Sequence, residues 1–220
     1  MKNSLLIGLT LSSTLLLTAC GTTPKNVEPE TTTGTDQQTV LPPENETTMT
    51  CPQAIQDYLD TAKKAELGSG EIKENDAIVV DYIGRLADGS VFDTSVESVA
   101  KACGAYNQQR DYTQGLPFTA GAGQMIKGFD KAVLGMKVNE TKTVNIPSAE
   151  AYGEYNPQLV VSLSTEGIDT QGFSEGIQIM TPDGVPATIT KLTDKEITLD
   201  YNSALAGKDL IFDITIKSIN

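Results

Sequence analysis

The sequence predicts an α+β fold in which an antiparallel sheet wraps around one short helix. Residues 78–84 are rich in β-branched and aromatic side chains, and Asp88-Gly89 marks a tight hairpin after them. Residues 210–217 alternate between apolar and polar side chains, as a strand with one buried face does. Residues 127–134 show the spacing of a short helix, which would lie across this sheet.

Ahead of the sheet, the sequence predicts an amphipathic helix over residues 50–68. Thr50 and Gln53 form a capping-box pattern, with Pro52 in the first turn. Gly68 can end the helix. The apolar side chains at helical spacing are Ile55, Tyr58, Leu59 and Ala62.

A small, mostly β unit is predicted over residues 158–208, inserted before the last strand. Several glycines and the turn sequence Pro182-Asp183-Gly184 separate short strand candidates there. The main domain then consists of residues 71–157 and 209–220, with a further strand at residues 141–146. The strand candidates of the inserted unit are residues 159–163, 177–180, 185–192 and 196–201.

The composition excludes several classes of function. The 220 residues contain no histidine, which removes His-based catalytic triads, imidazole zinc sites and imidazole pH switches. The formal charge of −13 makes nucleic acid a poor partner, because phosphate backbones are repelled. The sequence offers no complete nucleotide-binding or calcium-binding loop, and we expect no metal or cofactor.

The N-terminus predicts export. Lys2 precedes an uncharged apolar stretch of about 15 residues, shorter than the roughly 20 that a membrane-spanning helix needs. The sequence from Leu17 to Gly21 resembles the lipobox of prokaryotic lipoproteins, so residues 1–19 would be the signal peptide and Cys20 the lipidated residue. The alternative is a plain secretory signal with an incidental cysteine.

Residues 20–49 are predicted to be a disordered tether, because they are rich in Thr, Pro, Glu, Gln and Asn and nearly lack large apolar side chains. We therefore expect a lipid-anchored monomer in the cell envelope, on the outer side of a prokaryotic membrane.

After Cys20, only Cys51 and Cys103 remain. An even pair of cysteines in an exported protein predicts a disulfide bond between the N-terminal helix and the loop after the first hairpin. The alternative is two buried free thiols.

Four separated segments carry a family resemblance. Residues 80–95 form the first hairpin, residues 121–138 a central Gly-rich motif with its helix, Ala151-Tyr152-Gly153 a flap, and residues 210–214 the closing strand. In this order they resemble FKBP-type peptidyl-prolyl cis-trans isomerases. The resemblance implies an FKBP-like antiparallel half-barrel and prolyl isomerase activity on unfolded or partly folded polypeptides that contain proline.

The inserted unit refines the resemblance. SlyD-like and long archaeal FKBPs carry an insert-in-flap domain that returns through an Asn-His-x-Leu-Ala-Gly motif, and here residues 202–207 read Asn-Ser-Ala-Leu-Ala-Gly. Ser203 replaces the histidine, so any role of that imidazole is absent. Residues 99–112 resemble the archaeal-type loop before the central motif.

The resemblance implies three catalytic residues. Tyr152 would donate its hydroxyl to the substrate carbonyl. Asp93 would accept a hydrogen bond from Tyr82 and place negative charge near the rotating carbonyl carbon. Phe129 stands where short family members carry tryptophan, which implies a shallower floor. Without the resemblance, the phenylalanines of this set would be interpreted as ordinary core residues. The residues that the resemblance implies for substrate binding are Phe92, Leu116 or Phe118 at the rim, Met125, Ile126, Phe129 and Phe212.

The resemblance also implies chaperone-like client binding by the inserted unit. Some of its apolar side chains must build its own core, and exposed ones could hold unfolded chains. The alternative function is a holdase-type lipoprotein with a weak or vestigial isomerase pocket. The candidate client-binding residues are Ile168, Phe173, Ile177, Ile179 and Met180.

Overall fold

The computed structural model describes residues 49–220. The predicted signal peptide, Cys20 and nearly all of the predicted tether lie outside the described residues. Every helix within residues 49–220 is too short or too polar to cross a membrane. The helices are α1 (Cys51–Ala62), α2 (Glu97–Ala102) and α3 (Lys127–Val133); the strands are β1 (Ala77–Arg85), β2 (Val91–Thr94), β3 (Leu116–Thr119), β4 (Thr141–Ile146), β5 (Val160–Ser164), β6 (Gln178–Met180), β7 (Pro186–Leu192), β8 (Glu196–Asp200) and β9 (Leu210–Ile219).

The main sheet is antiparallel, in the order β2-β1-β9-β4, and β3 pairs with the first half of β1. Its inner face and α3 together build the main core. In β1, Val80 and Tyr82 point into this core, whereas Ile83 points to the opposite face. The sheet and the short helix of the predicted α+β fold are therefore present.

On the outer face of the main sheet, α1 and α2 form a second, smaller cluster. Ala54 and Ile55 of α1 pack with Ile83 and with Val99 of α2. The sulfur atoms of Cys51 and Cys103 form a disulfide bond that joins the start of α1 to the end of α2.

The N-terminal helix is shorter than predicted: it ends at Ala62 and not at residue 68. The Gly68 amide instead donates to the Val138 carbonyl at 2.9 Å, so this part of the chain joins the main domain in a non-helical form. Residues 63–67 are all exposed, so a longer α1 would bury no further side chain there.

The second sheet lies between β4 and β9 in the chain, in the order β5-β8-β7-β6. One face is apolar and carries its core residues Ala187, Ile189, Ile197 and Leu199. Short 3-10 helices at Ser148–Glu150 and Pro157–Leu159 lead into this sheet. The predicted strand candidates match its four strands to within one residue at each end.

Candidate active site

An apolar pocket of about 110 Å³ opens between the main sheet, α3 and the segment after β4. Its walls are mostly aromatic and aliphatic, with one carboxylate and two phenols. All nine lining residues are among the ten predicted from the sequence. They are Tyr82, Phe92, Asp93, Leu116, Met125, Ile126, Phe129, Tyr152 and Phe212.

Aromatic rings meet edge to face in the wall of the pocket. Phe212 on β9 lies 5.2 Å from Phe129 on α3 and 5.6 Å from Phe92 on β2, between ring centroids, with interplanar angles of 83° and 86°. Tyr82 meets Phe129 at 6.1 Å and 90°. Such arrangements place the positive edge of one ring on the negative face of the next. Each of these four rings comes from a different element, and the rings pack against one another in the pocket wall.

Gly84 makes room for two of these rings. It lies opposite Phe212 in the β1–β9 register. A Cβ on Gly84 would lie 2.6 Å from the Phe92 Cζ atom and 2.9 Å from the Phe212 Cε1 atom. Any larger residue here would push both rings out of the pocket wall.

Asp93 is held from two sides at the pocket edge. The Tyr82 hydroxyl donates to Asp93 Oδ2 at 2.6 Å, and Arg110 Nη1 donates to Asp93 Oδ1 at 2.5 Å. Arg110 also donates to the Thr94 carbonyl at 2.6 Å and to the Tyr82 hydroxyl at 3.1 Å. The edge of the pocket therefore carries an ion pair, in which Arg110 compensates the charge of Asp93.

This arrangement shifts the pKa of Tyr82 and of Arg110. Burial, followed by the hydrogen bond to Asp93, raises the pKa of Tyr82 well above its ordinary value. The hydrogen bond to Asp93 also raises the pKa of the Arg110 guanidinium. Because the single hydroxyl proton of Tyr82 is used on Asp93, Tyr82 cannot donate it to a substrate.

Tyr152 is the free donor at the pocket. Its side chain lines the pocket and remains 47% exposed. Among the hydrogen bonds of residues 49–220, none involves the Tyr152 hydroxyl, which is therefore available to a substrate carbonyl. The same part of the chain contains no group of three acidic or cysteine side chains that could hold a metal ion.

The sequence predicts Leu116 or Phe118 at the rim, and Phe118 is the one of the two that does not lie there. It is only 6% exposed and packs in the main core, with its ring centroid 5.9 Å from that of Phe129. Leu116, two residues earlier on β3, lines the pocket. Both side chains share one face of β3, but Phe118 lies farther along the strand, under the floor.

Arg110 is the functional residue that the sequence reasoning missed. It lies in the loop after α2, whose non-helical sequence gives no periodicity from which to place a side chain. One signal was available: only two of the 16 basic residues are arginines. Both bind carboxylates in partly buried positions, Arg85 to Asp213 and Arg110 to Asp93, where a planar guanidinium suits better than an ammonium.

The candidate client-binding residues separate into two groups. Phe173, Ile177 and Ile179 pack against the core of the second sheet, so they are not free to hold another chain. Ile168 is 41% exposed and Met180 is 66% exposed. The sequence could not divide them, because all five are apolar residues in one glycine-rich run.

Strand β5 exposes an apolar strip that the prediction missed. Val161 and Leu163 lie opposite Leu199 and Ile197 of β8, so they belong to the apolar face of the second sheet. The segment that carries Phe173 and Ile177 covers the core residues of this face, whereas Val161 and Leu163 remain exposed. As an end strand of its sheet, β5 also has one unpaired edge within the described residues.

Comparison with known proteins shows the family to which the chain belongs. Residues 68–217 match the family described as FKBP-type peptidyl-prolyl cis-trans isomerase. A short-type peptidyl-prolyl cis-trans isomerase from Methanocaldococcus jannaschii is 42% identical over 150 residues, which cover 67% of this chain and 94% of the relative. That relative is named a short type, whereas the resemblance noted above was to long archaeal members.

Bacterial relatives match as well. The SlyD isomerase of Helicobacter pylori is 38% identical over 101 residues, covering 44% of this chain and 55% of the relative. An FKBP-type 16 kDa isomerase of Escherichia coli is 27% identical over 157 residues, covering 69% and 96%. With the family match spanning well over half of the sequence, the chain belongs to the FKBP-type peptidyl-prolyl cis-trans isomerases, with SlyD among its homologues.

Proposed function

We propose that this isomerase assists the folding of exported proteins in the cell envelope, with catalysis in the aromatic pocket and client binding on the second sheet. The observation that carries the proposal is the convergence of four aromatic rings from β1, β2, α3 and β9 below one free phenol. FKBP-type isomerases act on polypeptides that contain proline, and this pocket has a size and polarity that suit a prolyl ring.

An apolar pocket can accelerate prolyl rotation without acid–base chemistry. The bond rotates over a barrier of about 18–20 kcal/mol, because amide resonance must be broken. The planar amide is the more dipolar form and is stabilised by water, so a pocket that excludes water favours the twisted form. A protein without histidine can therefore catalyse this reaction.

Two polar groups have separate roles at the pocket. The Tyr152 hydroxyl would donate to the substrate carbonyl, since Tyr82 has no proton to give. Asp93 holds Tyr82 and Arg110 in place and keeps the pocket edge electrically neutral. In this account Asp93 acts by organising the pocket edge, and Tyr152 acts directly on the substrate.

The second sheet would act as an insert-in-flap domain that holds an unfolded chain. Val161 and Leu163 supply apolar contacts, and the free edge of β5 supplies main-chain hydrogen bonds. An extended apolar segment of a client fits this combination, because it can add a strand and bury alternate side chains. Ile168 and Met180 remain candidates for further contacts.

Two features support export. The lipobox-like sequence before Cys20 fits a lipoprotein signal. The Cys51–Cys103 disulfide fits an oxidising compartment, because disulfides rarely persist in a reducing cytosol.

Two substitutions test the pocket assignment. Tyr152→Phe removes one donor, and we expect kcat/KM on a short proline peptide to fall about fivefold, within the range for one hydrogen bond. Asp93→Ala leaves Arg110 unpaired at the pocket edge and Tyr82 without its acceptor, and we expect a fall of about tenfold or more. A protease-free isomerisation assay measures both.

The matched control is Tyr106→Phe, which removes the hydroxyl of another tyrosine of similar exposure outside the pocket. It should keep the wild-type rate. Full activity in both pocket variants would refute the assignment. An inactive wild-type chain that still suppresses aggregation would favour the holdase alternative.

A further inference from the structure

Two linkers connect the pocket to the second sheet, and they are joined to each other. The outgoing linker comprises residues 151–158 and the return linker residues 201–209. The Gly207 amide donates to the Gly153 carbonyl at 2.8 Å, next to Tyr152. Nearer the second sheet, the side chain of Asn202 contacts the backbone of Asn156. The linkers therefore form one paired strut between the two parts.

The side chain of Asn202 binds both the backbone amide and the backbone carbonyl of Asn156. Its Oδ1 atom accepts from the Asn156 amide at 2.9 Å, and its Nδ2 atom donates to the Asn156 carbonyl at 2.9 Å. This is the double contact by which opposite residues pair between antiparallel strands, supplied here by a side chain. Only an amide side chain offers both a donor and an acceptor in this geometry.

Asp200 fixes the orientation of Asn202. Asp200 Oδ1 accepts from the Asn202 side chain at 2.7 Å and from its backbone amide at 2.8 Å. Asp200 is the last residue of β8, and β8 pairs with β5. Asp200 Oδ2 also accepts from the Tyr155 hydroxyl at 3.0 Å. Through Asp200 and Asn202, strand β8 is therefore connected to the outgoing linker, which also carries Tyr152.

Gly207 permits the close approach of the two linkers. Its φ is +71°, and a Cβ atom there would lie 3.1 Å from the Tyr155 Cβ atom. An alanine would be strained by its backbone conformation and would press against Tyr155. Gly207 and Asn202 hold the same strut at two points.

We propose that Asn202 is a positioning residue that holds the exposed strip of β5 at a fixed place relative to the pocket, so that a client bound on the strip presents its prolines to Tyr152. This inference rests on the proposed function of the second sheet. We expect that loosening the paired linkers leaves the binding of an unfolded chain and the isomerisation of a short peptide intact. Catalysis of refolding, which needs both together, should fall.

The test uses Asn202→Ala and Asn202→Asp in the full chain. Asn202→Ala removes both contacts with Asn156, and Asn202→Asp keeps an acceptor but loses the donor. We expect both variants to bind a permanently unfolded protein, and to turn over a short proline peptide, within about twofold of wild type. Their kcat/KM in refolding of a proline-limited protein should fall about fivefold or more, with the larger fall in Asn202→Asp, because its carboxylate would face the Asp200 carboxylate and the Asn156 carbonyl.

Ser203→Ala is the matched control, because Ser203 lies in the same linker and its hydroxyl accepts only a local bond from the Leu205 amide. It should behave as wild type in all three assays. Gly207→Ala should reproduce the selective loss by an independent route. Hydrogen exchange at the Asn156 amide should accelerate about tenfold in Asn202→Ala, which reports the opening of the strut directly.

The outcomes separate the two proposals. Unchanged refolding catalysis in Asn202→Ala, alongside accelerated exchange at Asn156, would overturn the positioning role of Asn202. A parallel fall in peptide turnover would also overturn it, since that result indicates general damage to the pocket. If deletion of residues 158–208 leaves refolding catalysis unchanged, the proposed function of the second sheet fails, and the role of Asn202 fails with it.

Discussion

Deletion of residues 158–208 should lower kcat/KM for a proline-limited unfolded protein about 100-fold and leave kcat/KM for a short proline peptide within about twofold. Holding a client on β5 makes encounter of its prolines with the pocket intramolecular, and such linkage can raise apparent affinity by about 10²–10⁴. Short peptides cannot span both parts and gain nothing from it. The pocket itself lies outside the deleted segment.

The deletion is structurally feasible because the two linkers run side by side, with the Gly207 amide 2.8 Å from the Gly153 carbonyl. A Gly-Ser connection long enough to run back beside the outgoing linker can therefore join residues 157 and 209. A refolding assay with the unfolded protein and a protease-free isomerisation assay with the peptide measure the two kcat/KM values.

A finer variant assigns the effect to the exposed strip. Val161→Ser combined with Leu163→Ser removes its apolar side chains and should cause most of the loss. Ser162→Ala lies on the other face of β5, where its hydroxyl contacts that of Thr198, and serves as the matched control. If the deleted chain catalysed refolding of the protein as fast as wild type does, the role of the second sheet would be contradicted.

Replacing Cys51 and Cys103 by alanine should lower the free energy of unfolding by about 4 kcal/mol. The two residues are 52 positions apart, and opening a loop of that length releases about this much chain entropy in the unfolded state. The attachment of α1 to the domain depends strongly on this bond, because only Ala54 and Ile55 of α1 are buried. For a domain of this size, we expect the Tm to fall by roughly 10 °C.

Denaturant unfolding of the full chain, with and without reductant, measures this effect. Reduced wild type should match the double alanine variant, and reductant should not change the variant further. Met49→Ala, an exposed apolar position beside α1, is the control for helix-end changes. An unchanged midpoint in reductant would show that the disulfide contributes nothing to stability.

Much of the site could be predicted because its residues lie on regular elements. Phe212 belongs to an alternating strand and Phe129 to a short helix, so their inward direction follows from periodicity. The family resemblance then turned a list of apolar residues into a pocket. Phe118 shows where this reasoning stops: strand alternation gives its face, but its depth below the floor depends on tertiary packing.

The missed features depend on contacts between distant parts of the chain. Arg110 reaches Asp93 from a loop 17 residues away, and the loop has no repeating pattern to predict its path. Val161 and Leu163 were visible as strand residues, yet their exposure depends on which strands the segment with Phe173 covers. Coverage of this kind is a property of the folded sheet and leaves no local mark in the sequence.

Exchange NMR of a short Leu-Pro peptide with the full chain tests the central claim most directly, because it reports catalysis and its location together. We expect accelerated cis–trans exchange, with peptide-induced shifts at Phe92, Phe129 and Phe212 and in the Tyr152 ring. Uncatalysed exchange, or catalysis accompanied by shifts confined to residues outside this pocket, would contradict it.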